Sequence, residues 1–174
     1  ERFSGRFVGE DVIERTLADL TREVCNVVLV GMPGCGKSTI GQLLAERTGR
    51  PFYDTDGMVE AQAGCRIPEI FADRGEKAFR DLEAQAVAQV ARERGGVIAT
   101  GGGVLLREEN RRALRQNSRI VYLERDLHVL PADGRPISQT RNLEELYRER
   151  LPLYQNTSDV TVKNDAAPEE IVAR

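Results

Sequence analysis

At 174 residues, 40% of them hydrophobic, the chain has the length of one domain and enough apolar side chains for a sizeable core. A net charge of -3 with 5% aromatics and no Trp argues against a nucleic-acid surface, which needs a basic field or stacking platforms. No apolar run approaches a membrane span and no signal-peptide pattern is present, while Cys25, Cys35 and Cys65 are scattered without C-x-x-C spacing, which fits free thiols in a reducing cytoplasm better than a disulfide framework or zinc site.

In chain order, Ile13, Leu17 and Leu20 fall at helical spacing within 11–23, where Asp11 and Glu14 make a capping-box-like start. "VCNVVLVG" then reads as a short buried strand. It runs into "GMPGCGKST" (31–39), which fits G-x-x-x-x-G-K-[ST] at Gly31, Gly36, Lys37 and Ser38. Ile40, Leu43 and Leu44 mark the apolar face of a helix that stops at Gly49. "PFYDTD" (51–56) is a second strand running into Asp54 and Asp56. A helix over 67–94 follows, with Phe79, Leu82, Ala86 and Val90 as its stripe and Gly95-Gly96 as its end. "VIAT" (97–100) is a third strand, broken by Gly101-Gly102-Gly103. A charged helix near 107–117, strand "RIVYLE" (119–124), an irregular stretch over 125–140, a helix over 142–150, strand "DVTV" (159–162) and a helix opening at Pro168 complete the chain.

Strands alternating with helices predict an α/β domain whose parallel sheet is covered on both faces. Ligands of such sheets gather at the carboxyl ends of the strands. The glycine loop, the Asp54/Asp56 pair and the three glycines all follow strands directly, so three separate signals converge on one edge.

The loop's glycines let backbone N–H groups turn in around phosphate oxygens, and the following helix presents its positive end to the same charge. Lys37 is expected at the β- and γ-phosphates and Ser38 on Mg²⁺. Cys35 reads as a small filler within the loop. Taken alone, Asp54 and Asp56 read as a helix N-cap (by an aspartate or Thr55) and a solvated turn; beside the phosphate loop they read as carboxylates for a metal and a hydroxyl. Arg80 and Glu83, three apart in "FRDLE", read on their pattern alone as a surface ion pair. "TGGG" (100–103) is either a place where backbone approaches a ligand closely or a plain flexible loop. Arg135, His128 and Arg150 carry no assignment from pattern alone.

Taken together, the phosphate loop, "FYDTD", "IFADRGEKAFRDLE", "TGGG", "GRPI" and "RERLPLY" occur in the order and approximate spacing of shikimate kinases, which the chain resembles from about Val24 to its end. The resemblance implies a three-layer P-loop kinase fold with a five-stranded parallel sheet, helices on both faces and a short lid over about 125–140. It also implies a cytoplasmic enzyme that uses ATP and Mg²⁺ to phosphorylate the 3-hydroxyl of shikimate, with neither nucleic acid nor membrane as partner. Gly34, Cys35, Gly36, Lys37, Ser38 and Thr39 would surround the ATP phosphates, and Ser38 and Asp54 would hold Mg²⁺. Asp56 would accept a hydrogen bond from the attacking hydroxyl. Arg80 and Arg150 would bind the shikimate carboxylate beside Gly101, Gly102 and Gly103, with Glu83 orienting them. Arg135 would swing in with the lid, joining Lys37 and Asp56 in catalysis, and Pro168 would line the adenine pocket.

The lid is where the chain departs from the resemblance. The arginine that stacks on adenine has no clear equivalent, and His128 holds the nearest position. Two alternatives remain at this stage: a kinase for another small acid such as gluconate, and a nucleotide-binding module without transfer activity. Residues 1–23 lie outside the resemblance. "ERFSG" is similar to the end of shikimate dehydrogenases, which implies a connector helix within a dehydrogenase–kinase fusion; a native N-terminal extension packed on the kinase is the other reading.

Overall fold

The structure, a computed structural model, describes residues 24–130 and 143–173, together with Glu14. Five strands form one sheet: β1 (Asn26–Val30), β2 (Phe52–Asp54), β3 (Val97–Ala99), β4 (Ser118–Glu124) and β5 (Val160–Lys163). Their order is β2-β3-β1-β4-β5 and every pairing is parallel. Val28 pairs with Ile98 on one side and Ile120 on the other, so β1 is the hydrogen-bonded centre. The runs "NVVLV" and "VIA" lack polar alternation because helices cover both faces of their sheet. Val28, Val30, Val97 and Ile98 are fully buried.

The helices are α1 (Lys37–Thr48), α2 (Thr55–Ala63), α3 (Ile67–Val90), α4 (Glu108–Arg115), α5 (Leu143–Thr157) and α6 (Pro168–Ala173). The main core joins the sheet to α1, α5 and the second half of α3, and a smaller cluster of Val59, Ile70, Phe79 and Ala86 seals α2 against α3. This satellite core holds α3 in place beside the strand ends.

Two helices differ from the sequence expectation. The helix expected over 67–94 ends at Val90 and is interrupted at Gly75, whose φ of 76° is non-helical. The helix expected over 142–150 continues to Thr157 through Pro152. Pro152 stands on the exposed side, where water can meet the carbonyl that its missing N–H leaves behind. Arg150 consequently lies within the helix rather than at its end. The helix expected over 11–23, and with it the choice between connector and extension, lies outside the described residues. So do residues 131–140 of the expected lid, Arg135 among them; Leu127–Val129, at its base, form a single 3₁₀ turn.

Candidate active site

All five strands deliver their carboxyl ends to one edge. From β1 the chain enters the phosphate loop, whose last glycine, Gly36, caps α1 with φ 93°, a left-handed conformation that favours glycine. Lys37 folds back along the loop: its Nζ donates to the carbonyls of Gly31 and Met32, each at 2.9 Å. Ser38 Oγ donates to Asp54 Oδ2 at 2.6 Å. Asp54 Oδ1 meanwhile accepts from the backbone N–H of Asp56 at 3.0 Å and Gly57 at 3.4 Å. One carboxylate therefore caps α2 and ties β2 to the phosphate loop, so the two readings of Asp54 coexist. Cys35 is fully buried, and its N–H bonds the Met32 carbonyl at 3.2 Å. It shapes the loop from beneath, as a filler would.

The other half of the site is built on α3, α5 and the turn after β3. Arg80 and Glu83 are not a surface pair. Arg80 Nη1 donates to Glu83 Oε2 at 2.8 Å, and Glu83 is 1% exposed. The α3 stripe that buries Phe79, Ala86 and Val90 carries these two inward with it. A buried ion pair adds little net stability, so its position points to a task. Burial pushes the Glu83 carboxyl above its ordinary value of 4.5, against the opposing pull of Arg80, Arg150 and Arg107.

The three glycines make room for this machinery. A Cβ at Gly101 would lie 2.6 Å from Asp56 Oδ1 and 3.0 Å from Glu83 Oε1, and one at Gly103 would lie 2.5 Å from Arg80 Nη1. At Gly102 it would meet the Pro33 ring at 2.6 Å. Close approach of backbone to functional side chains, rather than loop flexibility, thus accounts for "TGGG". Arg150 is 3% exposed, and its Nε finds no hydrogen-bond acceptor among the described residues.

Gly34, Gly36, Lys37, Ser38, Thr39, Asp54, Asp56, Arg80, Glu83, Gly101, Gly102, Gly103 and Arg150 all line one cleft of about 660 Å³. Pro168 opens α6 and does not line it. The cleft also takes an apolar wall from Ile67, Pro68, Phe71 and Phe79, and a carboxylate from Glu60, none of which the motifs single out as site residues. Tyr154 was missed as well. Its hydroxyl donates to the Gly102 carbonyl at 2.5 Å, and its ring stacks on Tyr122 with centroids 5.1 Å apart. Its place four residues after Arg150, on the same helix face, is the signal that could have found it.

A family model described as shikimate kinase matches residues 33–174. The chain belongs to the shikimate kinase family. A shikimate kinase of Burkholderia thailandensis is 42% identical over 79% of this chain and 80% of its own. One from Pseudomonas syringae pv. tomato is 42% identical over 84% and 91%. Among solved structures, shikimate kinase from Acinetobacter baumannii in complex with shikimate superposes with a TM-score of 0.80 at 30% identity, covering 90% of this chain and 93% of that one. Shikimate kinase from Aquifex aeolicus gives a TM-score of 0.76 at 32% identity, covering 85% and 92%. A sugar kinase from Janibacter, at 19% identity and a TM-score of 0.56, shares the fold alone. Family membership thus favours the shikimate kinase reading of the motifs over the gluconate alternative, and the five-stranded parallel P-loop kinase fold is the one the motifs imply.

Proposed function

We infer that this shikimate kinase transfers the γ-phosphoryl of ATP to the 3-hydroxyl of shikimate, giving shikimate 3-phosphate and ADP, and that it does so in the cleft at the carboxyl edge of the sheet. The observation that carries the reading is the pairing of an ordered phosphate loop with two buried guanidinium groups, one with an unmet donor, across a single cleft. A buried guanidinium without its full set of acceptors is costly, and a carboxylate matches its planar fork. Arg80 and Arg150 therefore bind the substrate carboxylate beside the backbone of Gly101–Gly103. Glu83 fixes Arg80 in place, and the wall of Ile67, Phe71 and Phe79 receives the ring.

At the other end of the cleft, Lys37 and the N–H groups of Gly34–Thr39 hold the phosphates. Asp56 accepts the hydrogen bond of the attacking hydroxyl and aims its oxygen at the γ-phosphorus. Such transfers need positioning and charge neutralisation more than covalent work. Ser38 and Asp54 suit Mg²⁺: the serine hydrogen is committed to Asp54, which leaves the hydroxyl oxygen's lone pairs for a cation. No cluster of three metal-binding acids, cysteines or histidines occurs among the described residues, which fits an ion that keeps several waters and leans on phosphate oxygens. When bound, Mg²⁺ would neutralise charge on the β- and γ-phosphates. Arg135, which lies outside the described residues, is assigned the same duty from the lid.

No helix among the described residues is long and apolar enough to cross a membrane. Three free cysteines fit a cytoplasmic enzyme. A coupled assay of ADP release tests the function: release should depend on shikimate and not respond to gluconate. Release that is equal with and without shikimate would leave only a nucleotide-binding module or a hydrolase.

A further inference from the structure

The face of α5 that brings Arg150 to the cleft carries a second polar group one turn later. Tyr154 is 1% exposed, belongs to the main core and does not line the cleft. A buried phenol needs a hydrogen-bond partner. Tyr154 finds one in the glycine turn after β3, at the Gly102 carbonyl. Burial pushes the phenol above its ordinary value of 10.0, and Arg150 only partly pulls it back. The hydroxyl therefore keeps its proton at neutral pH and stays a donor.

This bond fixes the orientation of a peptide. The carbonyl of Gly102 and the N–H of Gly103 belong to one planar trans unit and point in opposite directions. Tyr154 draws the carbonyl toward the core, which turns the Gly103 N–H toward the cleft that both glycines line. Neighbouring amides are committed within the fold: Gly101 N–H donates to Thr55 Oγ1 and Val104 N–H to the Gly101 carbonyl, each at 3.2 Å. Gly103 N–H meets no backbone acceptor among the described residues. The Arg80 guanidinium lies against the same glycine, since a Cβ there would fall 2.5 Å from Nη1 and 2.6 Å from Nη2. Glycines populate the widest backbone range, so a Gly-Gly peptide held in one orientation needs an outside partner.

We propose that Tyr154 is a positioning residue for the acceptor: its hydroxyl holds the Gly102–Gly103 peptide so that the Gly103 N–H faces the bound substrate beside Arg80. The assignment rests on the shikimate reading above and adds a residue that itself touches no substrate.

Tyr154→Phe tests it, with Tyr122→Phe as the control. Tyr122 is the buried stacking partner, and its hydroxyl is engaged by Tyr147 instead of the turn. Removing a neutral hydrogen bond corresponds to a loss of about 3- to 10-fold. Tyr154→Phe should raise KM for shikimate by about that factor, with kcat and KM for ATP within about twofold. Tyr122→Phe also deletes a buried hydroxyl, so a packing effect alone would move both variants alike; its KM for shikimate should stay parental. In proton–nitrogen NMR, shikimate should move the Gly103 amide proton downfield in the parent and in Tyr122→Phe, and clearly less in Tyr154→Phe. A parental KM for shikimate in Tyr154→Phe would overturn the proposal, as would equal rises in the two variants. So would a Gly103 amide that shikimate leaves unmoved in the parent, a result that requires no variant to fold. A parent that neither binds nor phosphorylates shikimate would overturn the kinase reading, and this role with it. A parent that does both while Tyr154→Phe matches it would overturn the positioning role alone.

Discussion

Arg150 shows how one side chain's chemistry can be tested apart from its charge. Lysine keeps the charge but offers a point ammonium in place of a planar fork. Arg150→Lys should raise KM for shikimate about 10- to 100-fold, and should matter far less for an analogue lacking the carboxylate. Equal effects on both compounds would show that Arg150 does not read that group. Glu83 yields a pH prediction. Its folded value is raised, so the native state holds a proton that the unfolded chain releases first. The associated stability is present below the ordinary value of 4.5 and is lost as pH rises through the raised one. Protonation also removes the charge that fixes Arg80. KM for shikimate should therefore climb as pH falls through that raised value, and Glu83→Gln should flatten this acid limb. A limb that persists unchanged in the variant would belong to another group.

At the scale of elements, α3 begins without a side-chain cap of its own: Arg66 holds the N-cap position. Glu60, on α2, supplies the missing acceptor, receiving the Ile67 N–H at 3.0 Å and Arg66 Nε at 3.1 Å on Oε1. Glu60→Ala should cost about 1 kcal/mol in urea denaturation, the usual cost of a lost cap. Arg66→Ala should cost much less, because the side chain is 76% exposed and such pairs are weak. Equal losses would assign the effect to the ion pair. No local pattern announces this bridge, since its partners belong to different helices. The same limit explains what the sequence left open elsewhere. The strands, the phosphate loop and the convergence on one edge were legible because each rests on local spacing. Burial of the Arg80–Glu83 pair, the double duty of Asp54 and the role of Tyr154 depend on contacts across the fold. The run of α5 past 150 has a related cause: Pro152 lies on an exposed helix face, where a proline can be tolerated although a buried one would break the helix.

For the molecule as a whole, phosphate recognition and base recognition are unequal. The phosphate loop is fully built, whereas the resemblance finds no lid arginine for adenine, and His128 at the nearest position is exposed. Competition should show ATP favoured over GTP and CTP by less than about a hundredfold, well short of the roughly 10⁴-fold reached by sites that hydrogen-bond the group they select. Strict adenine selectivity would contradict this. In the proposed mechanism, one cleft brings the γ-phosphoryl to a single hydroxyl of shikimate, aimed by Asp56. Phosphorus and proton NMR of the products test it most directly, using the parent chain and Asp56→Asn side by side. One product is expected, phosphorylated at the 3-hydroxyl and formed about 10²- to 10⁴-fold more slowly by the variant. Phosphate at another hydroxyl, free phosphate in place of a phosphorylated product, or parental turnover by Asp56→Asn would contradict it.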